Sequence, residues 1–170
     1  MKHRRNLLLA LVATPLTLAA TGCGFKLREA PNFAFSTIVV RMPESSQIGN
    51  ELRRNIAASG KVQVITDPAQ ADKADVILEP LQDQREKIVV GLTSSGQVRE
   101  FQLRLRFRFR LRTPQGKELI TDAEILQQRD ISFNESAVLA KEAEENMLYR
   151  DMQSDVVQQI MRRLAAVTEL

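Results

Sequence analysis

Residues Phe101 to Arg112 alternate without a break. Phe101, Leu103, Leu105, Phe107, Phe109 and Leu111 are apolar, and Gln102 and five arginines, Arg104 to Arg112, stand between them. A period of two over twelve residues predicts a β-strand with one apolar and one cationic face. Elsewhere the pattern changes period. Thr37 to Met42 reads as a first strand, and Ile48, Leu52 and Ile56 recur every four residues as the stripe of an amphipathic helix. Pro43 to Ser46 forms the capping turn before that helix, and Ser59-Gly60 closes it. Lys61 to Ile65 is a short strand ended by Asp67-Pro68. Asp75 to Leu92 is a third strand with an interruption at Pro80, because proline cannot donate to a central ladder. Lys117 to Phe133 is a fifth strand. Asn134 caps a long helix over 135–166, with Leu148, Met152, Val156, Val157, Ile160, Met161 and Leu164 on one side. The order is β-α-β, then a meander, then a helix. It predicts a single two-layer α+β domain, a mixed or antiparallel sheet with two helices packed on one face.

Turn chemistry sets the register around the arginines. Pro114-Gln115-Gly116 suits a three-residue hairpin loop with glycine in the left-handed region. That loop pairs Arg112 with Glu118, Arg108 with Asp122 and Arg106 with Glu124. It sets Leu111 against Leu119, Phe107 against Ala123 and Leu105 against Ile125. A slip of one residue would turn the apolar face outward, so burial forbids it. The loop Ser94-Ser95-Gly96 brings Glu86 opposite Arg104 in the same way. Arg110 is left without an acidic neighbour. The row therefore reads as a solvated face of paired charges, with a polyanionic lipid or a polar cavity wall as the alternative for the surplus cations.

The N-terminus changes what the charge means. A basic start, Met1 to Arg5, precedes an apolar run of fourteen residues, Leu7 to Ala20. That run is short for a membrane span, which takes about 20 residues, and it fits the core of a secretory signal. Ala20-Thr21-Gly22-Cys23 resembles a bacterial lipobox, which implies cleavage before Cys23 and acylation of that cysteine with palmitate-type chains. Several chains together anchor a protein stably. Gly24, where an Asp would retain a lipoprotein in the inner membrane, points to the outer membrane. The expected boundaries are a signal peptide over 1–22, a lipidated tether over 23–36 and a folded domain over 37–170. Loss of Lys2, Arg4 and Arg5 takes the cations from 24 to 21, against 21 Asp and Glu, so the mature chain is neutral. Nucleic-acid binding then loses both its compartment and its bulk charge.

Catalysis has few candidates. The only histidine is His3, inside the signal, and the only cysteine is Cys23. The mature chain is left without an imidazole base, a thiol nucleophile or the ligands of a zinc site. No phosphate-cradling or dinucleotide fingerprint is present. The expectation is a non-enzymatic protein with no cofactor besides the covalent lipid on Cys23.

Four stretches carry a family likeness: Gly22 to Arg28 (GCGFKLR), Glu51 to Val64 (ELRRNIAASGKVQV), Ser95 to Leu103 (SGQVREFQL) and Phe133 to Leu164. In this order and spacing they resemble the LPS-assembly lipoprotein family LptE of Gram-negative outer membranes. The resemblance implies an outer-membrane, periplasm-facing lipoprotein seated in the lumen of the LptD β-barrel. There it would help the barrel assemble and contact lipopolysaccharide (LPS) during export. The family's LPS-contacting lysine at the start of the last helix corresponds to Lys141 in Leu139-Ala140-Lys141-Glu142, and its second basic position falls on Ser94, which carries no charge. Arg110 joins Lys141 as an expected LPS contact. The plain alternative for Lys141 is a solvated residue paired with Glu145 at i+4. The alternative function is a periplasm-facing lipoprotein adaptor in another envelope complex, without LPS binding.

Overall fold

The computed structural model describes residues 31–170. The signal sequence, Cys23 and the first part of the tether lie outside the described residues. From Phe33 the chain is packed. The Phe33 and Phe35 rings lie 5.2 Å apart and Phe35 is buried in the core. The strands are β1 (Thr37–Val40), β2 (Gln63–Ile65), β3 (Val76–Leu92), β4 (Val98–Arg112) and β5 (Glu118–Ser132). The helices are α1 (Gln47–Ala58) and α2 (Val138–Ala165), and a 3₁₀ turn spans Pro68–Lys73.

The sheet order is β2-β1-β3-β4-β5. β1 runs parallel to both β2 and β3, while β3, β4 and β5 form an antiparallel meander. β5 is an edge strand. The fold is the expected α+β sheet with two helices. One core holds the helix stripes, Ile48, Leu52 and Ile56 of α1 with Met152, Val156 and Ile160 of α2, against the apolar row of β4. The β4 residues Leu103, Leu105, Phe107, Phe109 and Leu111 are completely buried there. A small second cluster of Val39, Ala71, Ala74 and Ile77 lies under the 3₁₀ turn. The start of β1 is held from β3. Asp75 accepts hydrogen bonds from the Ser36 and Thr37 amides at 2.8 and 2.9 Å, and its own amide donates to Thr37 Oγ1.

Local chemistry explains the ends. Ser46 caps α1 by accepting from the Gly49 amide at 3.0 Å. Asn134 caps a 3₁₀ turn, Glu135–Ala137, rather than α2 itself, so the long helix starts three residues later than its pattern implies. Both meander hairpins are built alike. Gly96 and Gly116 have φ of 81° and 96°, donate to the carbonyls of Thr93 and Thr113, and are followed by residues bonded back to those threonines. Glycine takes this left-handed backbone without steric cost.

Two details of the sheet differ from the sequence expectation. First, Pro80 does not end β3. The strand continues, and the ladder absorbs one extra residue, Leu81, between Pro80 and Gln82. Second, the β4–β5 register holds only beside the turn. Arg112 lies across from Glu118, but Leu111 faces Ile120, Phe109 faces Ala123, Arg108 faces Glu124, Phe107 faces Ile125 and Arg106 faces Leu126. Leu119 and one residue of the Thr121-Asp122 step are extra on β5. Each bulge alone would turn the strand over. The two together restore the faces with a net slip of two residues, so Arg108 is not directly across from Asp122, nor Arg106 from Glu124.

Candidate functional site

The face of the sheet opposite the helices carries the arginine row. Its carboxylates come from both flanking strands. On the β5 side the slip makes the pairs diagonal. Arg108 holds Asp122 with two nitrogens, Nε to Oδ1 at 3.1 Å and Nη2 to Oδ2, and Arg106 binds Glu124. The Arg108 guanidinium holds the Asp122 carboxyl below its usual range. Arg104, across from Glu86 as its loop implies, donates instead to Gln102 at 2.7 Å.

On the β3 side one carboxylate collects three cations. Glu79 is 8% exposed. Its Oε1 meets Arg41 Nη1 at 2.7 Å and Arg112 Nη2 at 2.8 Å, and its Oε2 meets Arg110 Nη2 at 2.6 Å. Arg112 first, then Arg110, lower the Glu79 carboxyl to about 2 by hydrogen bonding, against the upward push of burial. Arg110 is therefore not without an acidic partner, as the sequence register had it. The Pro80–Gln82 bulge is the cause. In the register of Glu86 and Arg104, Pro80 would face Arg110; the extra residue brings Glu79 there instead. Arg112, aligned with Glu118, likewise gives its ion pair to Glu79.

Lys141 sits at the other end of the molecule. Its Nζ donates to Glu144 Oε2 at 2.8 Å and to Ser132 Oγ at 3.0 Å. The partner is Glu144 at i+3 and not Glu145, because Lys87 on β3 takes Glu145 at 2.6 Å. Around this end large apolar side chains stand in solvent: Leu139 is 82% exposed and Leu92 60%, with Val89, Val90 and Val138 close to half. Phe101 and Phe133 meet edge to face beneath, and Lys87 lies over the Phe101 ring. Ser132, which binds Lys141, is level with Glu100 of β4. Ten residues of strand separate Glu100 from Arg110, about 34 Å. Lys141 and Arg110 thus lie at opposite ends and do not form one site.

Among the described residues, no group of His, Cys, Asp and Glu is arranged to hold a metal ion. No helix there is long and apolar enough to cross a membrane.

This architecture recurs among known proteins. Residues 35–164 match the family model described as "LptE: Lipopolysaccharide-assembly". The chain belongs to the LptE family. It is 25% identical, over 98% of its own length and 88% of the relative's, to the LPS-assembly lipoprotein LptE of Pectobacterium atrosepticum. The solution structure of lipoprotein B from Nitrosomonas europaea matches with a TM-score of 0.72 at 38% identity, covering 85% of this chain and 92% of that one. The rare lipoprotein B structure from Shewanella oneidensis, at 20% identity, shares the fold with a TM-score of 0.65 over 77% and 95% of the two chains. LptE membership supports a role in LPS assembly, and its matched segment contains every residue of the arginine face, Glu79 and Lys141.

Sequence reasoning missed Glu79 and Arg41 as members of the charged face. The signal available was Pro80, whose missing N–H favours a bulge at that point in the ladder.

Proposed function

We propose that this LptE-family chain is an outer-membrane lipoprotein, cleaved after residue 22 and acylated on Cys23, that occupies the lumen of the LptD barrel. There it supports barrel assembly and assists passage of LPS to the cell surface. The observation that carries the reading is the sheet face that neither helix covers, with only its Val39–Ile77 corner under the 3₁₀ turn. A fifteen-residue strand exposes guanidinium groups flanked by carboxylates, with the helices confined to the other side. A polar lumen wall is a fitting neighbour for such a face, since it offers hydrogen-bond partners of both signs. The apolar end beside Lys141 suits the second half of the role, because a glycolipid presents acyl chains and phosphates together. Lys141 exchanges Glu144 for a phosphate there, and charge-assisted contacts of this kind are among the stronger hydrogen bonds. Arg110 lies at the opposite end of the sheet and takes no part in that contact.

Co-purification from outer membranes tests the reading. The acylated protein is expected to bring LptD in one-to-one amount. Capture of a different envelope complex, with no LptD, would replace the barrel role by that of an adaptor.

A further inference from the structure

The charges around Glu79 do not balance. Among the described residues Arg41, Arg110 and Arg112 all have this one carboxylate as their ion-pair partner, which leaves two positive charges uncompensated there. Arg112 is the most enclosed and spends its remaining nitrogen on the Thr113 carbonyl. Arg41 and Arg110 are different. Their side chains are 50% and 39% exposed, and Arg41 uses a single N–H on Glu79 out of the five a guanidinium carries. Repulsion among three guanidinium groups is relieved by a further anion at the open side.

An independent feature meets the cluster at Arg41. A cavity of ≈ 580 Å³ opens at the carboxyl ends of the parallel strands β1 and β2, with Arg41 in its wall. Val39, Met42 and Ile65 give it apolar sides. Arg53 adds positive charge, with Nη1 donating to Asn50 and Nη2 to the Val40 and Met42 carbonyls. Among the described residues Glu44 is the one carboxylate in the wall. The carboxyl ends of parallel strands are where open sheets gather ligands.

We propose that Arg41 and Arg110, braced by Glu79, bind a phosphate monoester whose organic body enters the adjoining cavity. The charge selects the class. A phosphate monoester carries about −1.5 to −2 at neutral pH, which matches the surplus of two, whereas a carboxylate or a phosphodiester supplies one. Arginine's planar fork suits phosphate oxygens. The ester is either a soluble metabolite or the headgroup of a phospholipid, since both present the same group. The site is at the Arg41 end of the face that the barrel reading sets against the lumen wall, at the opposite end of the sheet from Lys141.

Calorimetric titration of the full acylated chain in neutral detergent, at constant ionic strength, tests it with phenyl phosphate as probe. Saturable binding at one site is expected. Arg41→Gln and Arg110→Gln are each expected to weaken it tenfold or more, and Arg41→Lys by less. Arg104→Gln, on the same face but away from Glu79, is expected to leave it unchanged. Wild-type protein that shows no saturable binding overturns the proposal, as does equal affinity in Arg41→Gln, Arg110→Gln and wild type. Amide shifts of Val39, Ile65 and Ala71 on titration of wild type give a readout that needs no variant to fold; their absence also overturns it. Short-chain phosphatidic acid in place of phenyl phosphate separates the sources. Tighter binding of the lipid assigns the site to a headgroup, and tighter binding of phenyl phosphate assigns it to a soluble ester.

Discussion

Replacing Glu79 with glutamine removes the single negative charge from a cluster of three arginines while keeping the shape and one acceptor oxygen. The folded carboxyl lies at about 2 against an ordinary 4.5. At 1.36 kcal/mol per pKa unit this corresponds to about 3 kcal/mol of preference for the ionised form in the folded state. Arg41 and Arg110 are partly hydrated and recover some of that loss, so Glu79→Gln is expected to lower stability at pH 7 by about 2–3 kcal/mol. For a chain of this size that is a fall in melting temperature of roughly 5–10 °C. The pH dependence identifies the cause. Because the folded value is depressed, the contribution is complete above about 4.5 and is lost as pH falls from there to about 2. Urea melts followed by circular dichroism at pH 7, 5, 3 and 2 therefore converge for wild type and variant as the acid end is reached. Asp75 and Asp122, also held below their ordinary values, titrate in both proteins and cancel in the difference. A constant gap between the two proteins at every pH would refute the reasoning, since it would locate the loss in packing instead of charge.

Phe107→Ala, at the completely buried centre of β4, is expected to destabilise the fold by about 3–5 kcal/mol, read from the same melts. Lys141→Asp is expected to weaken binding of purified LPS at low salt with an unchanged melting curve; unchanged LPS binding would remove Lys141 from the contact. Cys23→Ala is expected to accumulate as unmodified precursor that takes up no labelled fatty acid in cells. A labelled, processed variant would place the anchor elsewhere.

The legible part of the fold was the part written in period and turn chemistry. The alternation from Phe101 to Leu111 gave the faces of β4, Ile48-Leu52-Ile56 gave α1, and the two glycine loops gave the hairpins. Contacts that depend on counting residues away from a turn were less legible. The register beside Gly116 is as expected at Arg112 and Glu118, then slips by two because β5 carries two bulges between Leu119 and Asp122. No glycine or proline stands there to mark them. At Pro80 a mark was present, but its effect reads equally as a strand break or as a bulge. The difference decides whether Glu79 or Pro80 faces Arg110. Arg41 reaches Glu79 because β1 lies parallel beside β3, and the neighbour of an isolated four-residue strand is settled by packing across the whole sheet. Lys141 was legible only through family resemblance, since its spacing fits Glu144 and Glu145 alike.

The edge strand β5 has a consequence for how the chain behaves before it finds a partner. Its side chains Asp122, Glu124, Leu126, Gln128 and Asp130 share the arginine face, and Arg163 of α2 donates to the Glu124 carbonyl at 2.7 Å from the outer side. Backbone groups of alternate residues point the same way, so the outward row of amides and carbonyls belongs to these residues. Fifteen residues of open edge are a template for aggregation. Two copies joined antiparallel about Leu126 would set Asp122 against Asp130 on both sides of the join, and like charges directly opposite are destabilising. Asp122, which holds Arg108 from one side, thus also opposes that pairing of two β5 edges.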